Sequence, residues 1–166
     1  MNGHKGTMWE GGARVPLIAN WRGVTRAGTV LKDLVDFSDL FPTFVEVAGA
    51  KMPEGVKFDG RSFAPQLRGD KGNPREWVFV QLGAKWYVRN DGWKLTQAGE
   101  LYDMSDAPFV EQVVAPEDQS DAAKGARKQL QAILNDLNPA GGKTAPAADP
   151  AAKKAKRKAK RAVGKQ

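Results

Sequence analysis

The chain has no cysteine and a single histidine among its 166 residues. Without cysteine it forms no disulfide and offers no thiolate to a zinc or iron–sulfur site. With His4 as the lone imidazole, a histidine-rich metal site is excluded. A Ser-His-Asp triad would have to draw on Ser38, Ser62, Ser105 or Ser120, and none of these stands in a G-x-S-x-G elbow. No apolar run approaches the ~18 residues of a membrane span, and the first residues hold no apolar leader. The G-x-x-x-x-G-K-[ST] phosphate loop is missing too, because Lys5 precedes the second glycine of Gly3-x-x-Gly6.

The chain does carry charge, and its location matters more than its sum. The formal net charge is +7. From Asn138 onward there are nine Lys or Arg against one Asp, whereas residues 1–137 are close to neutral. The basic run Lys153, Lys154, Lys156, Arg157, Lys158, Lys160 and Arg161 is a polyanion attractor whose grip on phosphates would weaken steeply with salt. Ala140 to Gln166 is otherwise Ala, Lys, Pro and Gly, too poor in apolar surface to offset its ordering entropy, and is expected to be disordered. A non-catalytic, polyanion-binding module acting through this tail is therefore one functional reading.

Secondary-structure signals divide the rest at about Asp70 to Arg75. Arg14 to Trp21 is apolar on both faces and reads as a buried strand. Ser38 or Asp39 is placed to cap a helix with Pro42 in its first turn and Leu40, Phe44, Val47 and Ala48 on a core-facing stripe, ending at Gly49. Beyond Trp77 the period changes to two. Trp77 to Leu82, Lys85 to Arg89, Trp93 to Thr96 and Glu100 to Met104 read as a four-stranded antiparallel meander, with Gly92 left-handed in the Asn90-Asp91-Gly92 loop. Trp86, Tyr87 and Trp93 are expected to pack against a last helix that opens at Pro116 and carries Ala126, Leu130, Ile133, Leu134 and Leu137 on one stripe. Residues 1–75 thus form a core segment, 76–137 a small sheet-and-helix subdomain and 138–166 a tail.

The chemistry is concentrated in Gly3 to Trp21, which holds Lys5, Glu10, Arg14 and the only His. Glu10 and Arg14 can pair across the tight turn permitted by Gly11 and Gly12, making all four the scaffold of a loop that presents Lys5. Asp33, Asp36 and Asp39 recur every three residues, but a helix start nearby explains two of them as capping and dipole partners, and no metal site is assigned.

The stretch from Lys5 to Trp21, KGTMWEGGARVPLIANW, resembles the segment K-G-x-x-x-E-G-G-x-R-x-P-x-I-x-x-W of the sulfatase family. Asp39 to Gly49, Asp59 to Gly69, and Trp93-Lys94-Leu95 with Glu100 to Asp103 resemble later stretches of the same family in the same order. The resemblance implies the C-terminal part of a formylglycine-dependent sulfatase. The fold expected is α/β to α+β: a C-terminal remnant of an alkaline-phosphatase-like sheet, then a small antiparallel sheet packed with a C-terminal helix. It also implies that Lys5 contacts the substrate sulfate, with His4 a weaker candidate beside it. The family's C-x-P-S-R or S-x-P-x-R nucleophile motif is not in this chain, nor are its paired calcium-binding acids. Formylglycine and calcium are therefore expected in the complete parent enzyme, and the isolated chain is expected to be inactive. A sulfated small molecule or glycan as substrate and a separately made N-terminal sulfatase half as partner complete the expectation; members of the family are often exported, and if the parent is, its leader lies upstream of this chain.

Overall fold

The computed structural model describes residues 1–141, so the basic run from Lys153 to Arg161 and nearly all of the expected disordered tail lie outside the described residues. Four helices and five strands follow one another: α1 Glu10–Ala13, α2 Leu40–Val47, α3 Ala64–Arg68, β1 Val78–Leu82, β2 Lys85–Arg89, β3 Trp93–Thr96, β4 Leu101–Asp103, β5 Gln112–Val114 and α4 Asp121–Leu137. The sheet is a meander in the order β1-β2-β3-β4-β5, antiparallel throughout. The mixed helix-and-sheet class expected from the sequence is the one observed. The fifth strand was not anticipated, because three residues ending in Val113 and Val114 are too short to show a period of their own.

Strand register fixes what each face of the sheet carries. Val88 opposes Leu95, and Leu95 opposes Leu101, on one face. These three pack with Ala123, Leu130 and Leu134 of α4, and Trp77, Phe79, Trp86, Trp93 and Ile133 close the margins. Tyr87 is on the other face with Arg89, Lys94 and Tyr102, away from α4, because its neighbours Trp86 and Val88 point to the helix and side chains alternate along a strand. The helix α4 starts at Asp121, later than Pro116, since Ser120 caps it by accepting the Ala123 N–H at 3.2 Å while Pro116–Asp118 form a separate 3₁₀ turn. In the β2–β3 connection Gly92 is not left-handed. The Asn90 side chain does the turning, accepting the N–H groups of Gly92 at 3.1 Å and Trp93 at 2.8 Å.

Arg14 to Trp21 forms no strand. From Val15 to Asn20 its side chains stand in solvent, Ile18 at 91% exposure, because a strand apolar on both faces needs a neighbour on each side and none is present among the described residues; Trp21 is half-buried under Arg68. The stripe of α2 is also outside the core. Phe44 is 64% exposed, while Pro42 and Thr43 on the opposite side are buried. Val47 and Ala48 are likewise exposed and Leu40 is half-buried, since little among the described residues covers that side of the helix.

Apart from the Phe41–Phe58 stack and the buried Ala64, the segment around α2 is held by polar groups. Asp36 and Asp39 share the capping: the Asp36 carboxylate accepts the Ser38 N–H at 2.8 Å while that of Asp39 accepts the Asp36 N–H at 2.8 Å, and Ser38 does not cap. Asp39 also receives a fork of two bonds from Arg75, Nε at 2.7 Å and Nη2 at 2.6 Å, and the N–H of Arg61 at 2.6 Å. Gly60 is required beside it, since a Cβ there would run into the Ser38 carbonyl. Burial pushes the Asp39 carboxyl up, but the Arg75 fork and the Arg61 and Asp36 N–H groups outweigh it and leave the group below its ordinary range.

Arg75→Ala strands a buried carboxylate and is expected to cost about 3–5 kcal/mol in urea denaturation. Since the folded-state pKa of Asp39 lies below its unfolded value, its contribution is complete above the unfolded pKa and is lost as pH falls through the folded one. Acid titration of stability should show this loss in the wild type and not in Asp39→Asn.

Candidate functional site

The loop from Asn2 to Ala13 folds back on itself. Thr7 locks its tip: the Thr7 hydroxyl donates to the His4 carbonyl at 2.7 Å and accepts the His4 N–H at 3.1 Å, while the Thr7 N–H donates to the same carbonyl at 3.0 Å. Gly3 and Gly6 turn the backbone there at φ 79° and 87°. Gly11 and Gly12 let the outgoing strand of the loop lie against the incoming one, because a Cβ on Gly11 would meet the Gly3 carbonyl and one on Gly12 the Thr7 carbonyl. The Gly11 N–H closes the loop by donating to the Asn2 carbonyl at 2.6 Å. Lys5 and His4 are left exposed at the tip.

What holds the loop is the face of the sheet turned away from α4. Arg89 and Lys94 stand directly opposite each other in the β2–β3 register, two cations on one buried face. Such a pair is repulsive unless each meets an anion. Glu10 comes from the loop, with Oε2 at 2.8 Å from Arg89 Nη1. Glu111 comes from the β4–β5 connection and pairs with Lys94, the two side chains 0% and 2% exposed. The two halves are tied by the other oxygen of Glu111, which accepts the Glu10 N–H at 2.8 Å. Arg14 Nη1 lies farther from the same Glu10 oxygen, at 3.5 Å, with its side chain half exposed. Neither guanidinium aims an N–H at Oε2, so charge and not a directed hydrogen bond holds that oxygen.

Aromatic rings complete the enclosure. The Lys94 ammonium lies 4.5 Å from the Tyr102 ring centroid, 4.9 Å from Trp9 and 5.0 Å from Tyr87, all within cation–π range. Trp9 also meets Tyr102 edge to face at 5.8 Å. Burial, then the charge of Glu100, pushes the Tyr102 phenol up to about 12. Burial raises Tyr87 as well, followed by the charges of Glu10 and Glu111, so both phenols stay neutral beside the carboxylates.

Of the residues singled out from the sequence, the structure brings Glu10, Gly11, Gly12 and Arg14 together beneath a tip that carries His4 and Lys5. It places the seven basic tail residues outside the described region. Arg89, Lys94 and Glu111 were not singled out. A lysine set between Trp93 and Leu95 in a strand alternating toward a core was the available signal, and it marks a buried cation only once the register is known. For calcium the donors present do not fit. Among the described residues no three His, Cys, Asp or Glu side chains converge, and the carboxylate oxygens of Asp39 are already taken by Arg75, Arg61 and Asp36.

A family model described as "N-sulphoglucosamine sulphohydrolase, C-terminal" matches residues 4–137. The chain is similar to human arylsulfatase D, 37% identical over 52% of this chain and 16% of that protein. It is similar to mouse steryl-sulfatase, 36% identical over 55% of this chain and 16% of that protein. The ulvan-active sulfatase of Formosa agariphila is 37% identical over 45% of this chain and 15% of its own length. The chain thus spans under a fifth of the relatives it matches.

Gly12→Ala is expected to push the two arms of the loop apart and to cost about 1–3 kcal/mol, as overpacking does. Urea denaturation measures the loss, and trypsin cleavage after Lys5, followed by mass spectrometry, should be faster than in the wild type.

Proposed function

The chain belongs to the N-sulphoglucosamine sulphohydrolase C-terminal family, and from that premise we propose that it is the C-terminal part of a sulfatase whose loop tip presents Lys5 to the sulfate of the substrate. The observation that carries the reading is the form of the loop: a lysine exposed at a tip whose base is clamped by buried ion pairs. A compact ammonium so placed would stabilise the negative charge that builds on the sulfuryl oxygens as the ester bond breaks. His4 beside it is a secondary contact. The substrate is a sulfated small molecule or glycan.

The parent supplies a formylglycine nucleophile and calcium; the C-x-P-S-R or S-x-P-x-R motif does not occur in this sequence, and among the described residues no three His, Cys, Asp or Glu side chains converge. The apolar surfaces left open at Ile18 and Phe44 support the reading that it works as part of a larger body, either in one polypeptide or with a separately made N-terminal half. Purified alone with calcium and an aryl sulfate, it is expected to give no turnover. Combined with an N-terminal sulfatase half carrying the nucleophile motif, it is expected to restore hydrolysis, and Lys5→Ala should then lower kcat about 10²–10³-fold, the usual cost of losing one charge-stabilising donor. Multiple turnovers by the isolated chain would overturn the incompleteness, and an unaffected Lys5→Ala would overturn the sulfate contact.

The concentration of positive charge beyond Asn138 favours a second reading, a polyanion-binding tail. Removing residues 138–166 should abolish retention on heparin at moderate salt, and unchanged retention would dismiss it.

A further inference from the structure

We propose that Lys94 is a positioning residue for Lys5: held by Glu111 within the rings of Trp9, Tyr87 and Tyr102, it fixes the arm through which the loop tip is presented. This rests on the sulfate-contact reading above and adds to it the device that aims the contact.

The argument starts from the expense of the arrangement. A buried ion pair of this kind is commonly matched or bettered in stability by apolar residues of the same volume, so stability alone does not explain a lysine at this position. The Lys94 side chain is shut off from solvent, 2% exposed. What it touches is the loop. Its ammonium lies over the Trp9 ring and 3.5 Å from the Met8 carbonyl, while its partner Glu111 accepts the Glu10 N–H. Met8, Trp9 and Glu10 are the arm leading out of the tip. The arm leading in is fastened separately, through the Asn2 N–H to the Pro108 carbonyl at 2.8 Å. Lys5 therefore stands on a loop fixed at both ends, and Lys94 with Glu111 supplies the outgoing attachment. Arg89 reinforces it by holding the Glu10 carboxylate.

The test uses the full 166-residue chain. In Lys94→Met/Glu111→Gln both charges are removed together, so no buried charge is stranded, and the new amide still accepts the Glu10 N–H. Site-resolved amide exchange is then read at Thr7, Gly11 and Gly12 in the loop and at Val88 and Leu95 in the sheet. The loop amides are expected to exchange about tenfold faster while the sheet amides stay within about twofold of wild type, the pattern of local opening. Unchanged loop exchange, or equal acceleration everywhere, would overturn the proposal. If the double variant does not fold, Trp9→Leu removes one wall of the cage, and it too must speed the loop amides selectively. In the reconstituted enzyme the double variant should lower kcat with KM for the aryl sulfate nearly unchanged, and Lys94→Arg, which keeps a cation paired with Glu111, should retain most of it. No change in kcat would overturn the positioning role. The sulfate contact itself is scored by Lys5→Ala, so its failure leaves the exchange result standing.

Discussion

Two cations facing each other on a buried sheet surface are the constraint from which the rest follows. Arg89 and Lys94 are cross-strand neighbours on the side of the meander that α4 does not cover. Their repulsion, together with the cost of removing each from water, must be met by two anions. One, Glu111, is local to the sheet. The other, Glu10, belongs to the loop that carries Lys5. The sheet and the loop bearing Lys5 therefore complete one another: the loop supplies a charge that the sheet needs, and the sheet supplies the loop with a fixed base.

A second polar fastening governs the remainder. The Arg75 fork on Asp39 gathers the start of α2, the turn at Asp59-Gly60-Arg61 and the approach to β1 without an apolar core of its own, since Arg75 also donates to the Asp59 carbonyl at 2.8 Å. Among the described residues the main cluster of buried apolar side chains lies at the contact between the sheet and α4. The surfaces around Ile18 and Phe44 are left to solvent, and the structure keeps its shape there through directional bonds.

The sheet and its last helix were legible in the sequence because both obey short periods: alternation from Trp77 onward, and a stripe through Ala126, Leu130 and Leu134. The loop was legible as a loop from its glycines. Arg14 to Trp21 misled, since an apolar run states a preference for burial without stating what is present to bury it. The α2 stripe misled in the same way, and Phe44 is its clearest case. Arg89, Lys94 and Glu111 were invisible for another reason. Their significance lies in who faces whom, and the register that sets Arg89 against Lys94, or brings Glu111 to Glu10, is a property of the folded sheet.

The bond from the Glu10 N–H to Glu111 joins groups 101 residues apart. On a ribosome the loop is made long before the carboxylate that will receive it, and at synthesis rates of roughly 5–20 residues per second that interval lasts on the order of 5–20 s. For most of it, until Arg89 and then Lys94 and Tyr102 have been made, Glu10, Trp9 and the tip bearing Lys5 have no partner on the sheet. Docking of the loop is thus a late event in vectorial synthesis, and it stays without its Glu111 attachment until β5 begins to emerge.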